Sequence, residues 1–143
     1  MGSDEAGGER LRQRPVERFA GEEHVFDLAQ EATRLRGEPH PATDGHRQIV
    51  LFRDEPVSLM LFDFEAGGIL RDHVADGIVT ILVLSGQADI RTPDGDYVVP
   101  AGNVLVLRPG VPHDLEAPVA TEVLVTIHLT ADRHGRAHAQ DSA

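Results

Sequence analysis

The sequence predicts an all-β fold, a small antiparallel barrel with one short N-terminal helix packed outside it. Three observations carry that reading. Short strand-like runs succeed one another from Arg47 onward, and turn signals separate them at the intervals of a β-barrel or sandwich. The runs at 57–61, 78–84 and 123–129 are apolar at odd and even positions alike, so both of their faces must be covered. The length, 143 residues, suits a single domain with one real core.

Residues 1–20 are rich in Gly, Glu and Arg without apolar periodicity and are expected to form a flexible arm. A helix is expected over 25–36, where Val25, Phe26, Leu28, Ala29, Ala32 and Leu35 form an apolar stripe. Glu22, Glu23 and Asp27 lie near the positive end of its dipole, and Gly37 and Pro39 supply the stop. Strands are expected at 48–52, 56–64, 78–84, 88–91, 97–99, 104–107 and 121–130. Asp94-Gly95 is the strongest hairpin signal among the turns between them. The domain is thus read as 21–131, with its barrel at about 47–130, and 132–143 as a disordered tail.

Composition narrows the function. A formal net charge of -11 and the complete absence of lysine argue against a nucleic-acid partner, which needs clustered cations to neutralise phosphates. No cysteine is present, so disulfides, thiolate ligands and thiol nucleophiles are excluded together. No apolar run approaches membrane-spanning length and the first ten residues lack a signal-peptide pattern, so a cytoplasmic protein without membrane contact is expected.

Gly67, five residues, then His73, and later Gly86, are followed after a 15-residue gap by Gly102, Gly110 and His113. This spacing, with the turn Gly110-Val111-Pro112-His113, resembles the two characteristic motifs of the cupin superfamily over roughly 47–130. The resemblance implies a cupin β-barrel of jelly-roll type. It also implies a metal held by three histidines and a carboxylate, and there the chain departs from the pattern. Ala75 stands where the family has its second histidine, Val79 where it has the glutamate, Arg108 where it has a proline and Ala117 where it has the final asparagine. His73 and His113 remain as candidate catalytic groups and as candidate ligands for one divalent transition metal ion (Zn, Ni, Fe, Cu or Mn), since imidazole suits these metals. The segment from His73 to Ile81 further resembles a subgroup of small cupins with a single histidine in the first motif, a subgroup largely without assigned activity.

The expected ligand pocket comprises His73, Ala75, Val79, Ile81 and His113, because alternation puts Ala75, Val79, Ile81 and Val83 in step with His73. By the same rule Asp72 and Thr80 face away from His73, and His128 lies on the less apolar face of the last strand. Asp63 interrupts an apolar run and is either an inward-facing general base or an edge residue in solvent. Arg71 and Arg108 offer guanidinium groups at the barrel mouth or ion pairs with Asp72 or Asp76. Tyr97 reads as packing, and His134 and His138 have helical metal-pair spacing in a polar tail.

Three functions follow. The first is a small-molecule-binding protein that holds a small, mostly apolar organic ligand in the barrel. The second is an enzyme, either a metal-dependent oxygenase, isomerase or decarboxylase with an incomplete ligand set, or a metal-free catalyst using a pocket histidine. The third is a structural or interaction homodimer. A homodimer is expected in any case, because the doubly apolar strands need cover and the resemblance implies pairing through an N-terminal strand.

Overall fold

The computed structural model describes residues 21–130, so the expected arm, the tail and the His134/His138 pair lie outside the described residues. Among the described residues one helix, α1 (Leu28–Arg36), precedes nine strands. These are β1 (His46–Asp54), β2 (Val57–Phe64), β3 (Ile69–His73), β4 (Gly77–Ser85), β5 (Gln87–Thr92), β6 (Gly95–Pro100), β7 (Val104–Leu107), β8 (His113–Glu116) and β9 (Thr121–Leu129). They form two antiparallel sheets, ordered β1-β2-β9-β4-β7 and β3-β8-β5-β6, whose inner faces enclose the barrel lumen. The all-β barrel with one short N-terminal helix is therefore the observed architecture.

Helix α1 starts three residues later than its apolar stripe suggests. Asp27 is extended and its side chain accepts a hydrogen bond from the Gln30 N–H at 3.1 Å, which caps the helix there. Val25 is consequently left fully outside the packed stripe, 99% exposed. Ala32 and Leu35 are buried beneath the helix, and Ala32 joins Leu51 and Leu61 in a core cluster outside the barrel. The larger cluster fills the lumen with Met60, Phe62, Phe64, Val79, Ile81, Val83, Val123 and Val125 among others. Strand β2 thus serves both cores by alternation, its even residues facing the lumen and Leu59 and Leu61 facing the helix.

Asp63 falls on the helix side of this alternation, which corrects both expectations for it. It is buried, yet it faces neither the lumen nor open solvent: Arg36, at the end of α1, donates from Nη1 to Asp63 Oδ1 at 2.9 Å and to Glu122 Oε2 at 2.8 Å. Burial pushes the Asp63 carboxyl above its ordinary range more than the guanidinium beside it pulls it down. The pair ties the helix to the sheet.

Four glycines that frame the sequence motifs, Gly67, Gly86, Gly102 and Gly110, all have φ between 82° and 88°, a region that disfavours any side chain. Gly86 is the most constrained of them. A Cβ there would lie 2.4 Å from the Ala120 carbonyl oxygen and 2.8 Å from Thr121 Cα. That close approach lets the buried Thr121 hydroxyl accept from the Gln87 N–H at 3.1 Å and donate to the Val119 carbonyl at 2.7 Å, joining the two sheets.

Candidate functional site

Two strands that the apolar pattern does not reveal, β3 and β8, build the polar wall of the lumen. Ile69-Leu70-Arg71-Asp72-His73 and His113-Asp114-Leu115-Glu116 are short and rich in charge, so neither stands out as a strand in sequence. They pair at Ile69–Glu116, Leu70–Leu115 and His73–His113, with a register shift between Leu70 and His73. Asp72 sits at φ 50° within that shift, and its N–H donates to Asp114 Oδ1 at 2.7 Å. The shift has a direct consequence for the site. Regular alternation would put residues 70 and 73 on opposite faces, but Leu70 and His73 both line the same cavity.

His113 enters from the first position of β8 and is 4% exposed. Its ring meets that of His73 edge to face, with centroids 5.6 Å apart and planes at 79°. His113 Nδ1 donates to the Val111 carbonyl at 3.2 Å, a bond set by the preceding Gly110-Val111-Pro112 turn. Burial lowers the His73 pKa below the ordinary imidazole value, and the neighbouring His113 and His46 add to the effect.

The two imidazoles close a cavity of about 20 Å³ whose remaining walls are hydrocarbon, including Phe62, Phe64, Val79, Ile81, Val125 and Ile127. Of the five pocket residues expected from sequence, His73, Val79, Ile81 and His113 line it. Ala75 packs against the lumen core from the margin, and its carbonyl accepts from the Gly110 N–H at 2.9 Å. Val83 is fully buried in the same core. His128 is exposed, and Thr80 hydrogen-bonds Thr126 on the outer face of the sheet.

Sequence reasoning passed over His46, one residue before the expected start of the barrel. It is buried against Phe62 and Phe64, with ring centroids 5.9 and 5.3 Å away, and its Nδ1 donates to the Ile69 carbonyl at 2.9 Å. Its alternation with Val50, which packs on the lumen core, is the signal that would have placed it inward. Arg71 and Arg108 line no part of the lumen cavity, and among the described residues neither forms an ion pair with Asp72 or Asp76. Arg71 instead lines a groove of about 410 Å³ on the outside of the second sheet, together with Tyr97, Asp89 and Asp114.

Among the described residues no group of three or more His, Asp or Glu side chains is placed to hold a metal ion. Two imidazoles remain where even an open catalytic site uses three protein ligands, and a methyl and an isopropyl group occupy positions 75 and 79. The residues present do not fit a resident metal.

The two antiparallel sheets form a barrel of the cupin fold around a histidine-capped, hydrocarbon lumen. The chain belongs to the AraC-like ligand binding domain family, whose model matches residues 65–138. Among solved structures, the barrel is similar to a conserved protein of unknown function from Streptococcus pyogenes, at 24% identity over 77% of this chain and 90% of that one, with a TM-score of 0.60. It is also similar to a cupin superfamily protein from Desulfitobacterium hafniense, at 16% identity over 84% of this chain and 100% of that one, with a TM-score of 0.61. A salicylate 1,2-dioxygenase from Pseudaminobacter salicylatoxidans shares the fold at 18% identity and a TM-score of 0.58; 69% of this chain aligns with 31% of that larger one. A comparison with curated protein sequences finds no match.

Proposed function

We propose that the protein binds a small, mostly apolar organic molecule in the barrel lumen, with His73 and His113 as its polar contacts. One observation carries the reading: two imidazoles are the polar side chains bordering an otherwise hydrocarbon cavity. A ligand with one polar end and an apolar body would match both the imidazoles and the hydrocarbon walls. Membership of a ligand-binding family supports the same role.

Size requires the lumen to widen. Pockets that enclose small molecules run to roughly 300–1,000 Å³, against about 20 Å³ here. The wall that would yield is the one carrying the histidines. Strand β3 is the edge of its sheet and pairs with β8 across a bulge, whereas on the opposite side β2 pairs with β9 from Val57–His128 to Phe64–Thr121 without a register shift. Native mass spectrometry of the intact chain, with melting curves in the presence of small aromatic and aliphatic fragments, tests the reading. A retained organic mass or a saturable melting shift that is lost in His73→Ala and His113→Ala is expected. If no mass is retained and no fragment shifts the melt, the proposal is overturned.

The reading extends to a homodimer through the outer face of the five-stranded sheet near β7. Helix α1 covers the β1–β2 end of that face, while Val104 and Val106 at the other end are 54% and 58% exposed, beside Ile78 at 36%. Strand β7 is an edge with no lysine to discourage pairing. A second copy meeting it about a two-fold axis would bury apolar surface from both subunits at once.

A further inference from the structure

We infer that the lumen selects a ligand bearing a neutral hydroxyl group, an alcohol or phenol, and rejects carboxylates; this rests on the barrel-binding reading above. The inference begins with the proton on His113. Its Nδ1 faces the Val111 carbonyl oxygen at 3.2 Å, and a carbonyl can only accept, so Nδ1 carries the hydrogen. In the neutral ring Nε2 is then a bare lone pair, an acceptor. No protein group satisfies it among the described residues: the His73 ring stands edge to face at 5.6 Å without a hydrogen bond between the two. A ligand that brings a donor to that atom would satisfy it.

Charge restricts the donor further. No carboxylate borders the cavity to balance an imidazolium, so the uncharged His113 ring is taken as the form that binds ligand. Equally, no arginine borders it to balance an anion, since Arg71 and Arg108 lie elsewhere. A neutral His73 carries one N–H and one lone pair. A hydroxyl can donate to His113 Nε2 while accepting from His73, satisfying both rings with one oxygen.

Phenol, toluene and benzoate share a ring and differ at the head, so they test the inference as matched probes. Each is titrated into the full chain by calorimetry, with histidine ring nitrogens followed by NMR. Phenol is expected to bind about tenfold more tightly than toluene, the equivalent of one net hydrogen bond, to shift the His113 Nε2 resonance, and to outcompete benzoate. In His113→Phe, or in His113→Leu if that variant does not fold, the preference for phenol over toluene disappears while toluene binding persists. Equal binding of phenol and toluene, or tighter binding of benzoate, overturns the hydroxyl rule and leaves lumen binding standing. A free-protein spectrum that puts the His113 proton on Nε2 also overturns it, without any variant. Failure of all three probes to perturb lumen resonances overturns both the rule and the reading beneath it.

Discussion

His73 and His113 face each other across the β3–β8 register, ring edge to ring face, although they are forty residues apart in the chain. Neither ring has an acid beside it in the cavity, and burial among hydrocarbon side chains favours the uncharged form of His73.

That environment makes stability depend on pH in a defined direction. The folded pKa of His73 lies below the ordinary value of 6.5, so the unfolded chain takes up the proton first as pH falls. The His73 contribution is fully favourable above about pH 6.5, declines as pH drops through that value, and levels off below the lowered folded pKa. Urea unfolding midpoints measured across this window are expected to fall with acidification, and His73→Gln is expected to flatten the slope.

Gly86→Ala and Gly102→Ala separate two costs of adding a methyl group. Both glycines have positive φ, but a Cβ at 102 meets nothing within 4 Å, while one at 86 collides with the backbone at Ala120 and Thr121. The variant at 102 is expected to lose about 1–2 kcal/mol for the left-handed conformation. The variant at 86 should lose clearly more, with the Thr121 clasp disrupted, as read by denaturant melts.

Arg36→Met removes the cation shared by Asp63 and Glu122 and leaves a buried carboxylate unpaired. Because Arg36 is itself half-exposed, a loss of about 1–2 kcal/mol is expected, between the values for surface and buried pairs. Asp63→Asn in the same chain is expected to recover part of it, so the double variant is less destabilised than the sum of the singles.

Val79→Glu places a carboxylate in the lumen without a partner and is expected to lower the melting temperature, because position 79 is 4% exposed. Combined with Ala75→His it restores the ligand types that the cupin pattern has at these positions. The double variant is expected to gain stoichiometric Zn²⁺ binding by calorimetry and a melting shift reversed by chelator; the parent chain should show neither.

The proposed dimer face is checked by sedimentation at micromolar concentration. The parent chain is expected as a dimer and Val106→Glu as a folded monomer, because the substitution puts a charge at the centre of the exposed valine pair on β7.

Much of the barrel was legible because its strands are apolar on both faces: 104–107 matches β7 to the residue, and the runs expected at 56–64, 78–84 and 121–130 fall on β2, β4 and β9 to within a residue or so at each end. The strands β3 and β8 were not, since Arg71, Asp72, Asp114 and Glu116 break any apolar pattern in segments of five and four residues. The site was half legible for the same reason. His73 and His113 could be picked out by their glycine frames, and Val79 and Ile81 by alternation. Leu70 could not, because it reaches the lumen only through a bulge, and His46 was passed over because it stands before the recognisable pattern, although its alternation with Val50 points inward.

By itself the sequence determined an all-β barrel with a helix outside it, and an interior short of metal ligands, since side-chain alternation and turn residues are local properties of the chain. Tertiary structure decided the rest. It decided that Asp63 belongs to the helix latch, that a left-handed Asp72 turns His73 inward, and that His113 Nδ1 donates to the Val111 carbonyl, which leaves Nε2 without a protein partner among the described residues. These outcomes depend on which segments meet across the barrel, and packing between distant residues leaves no periodic trace in sequence.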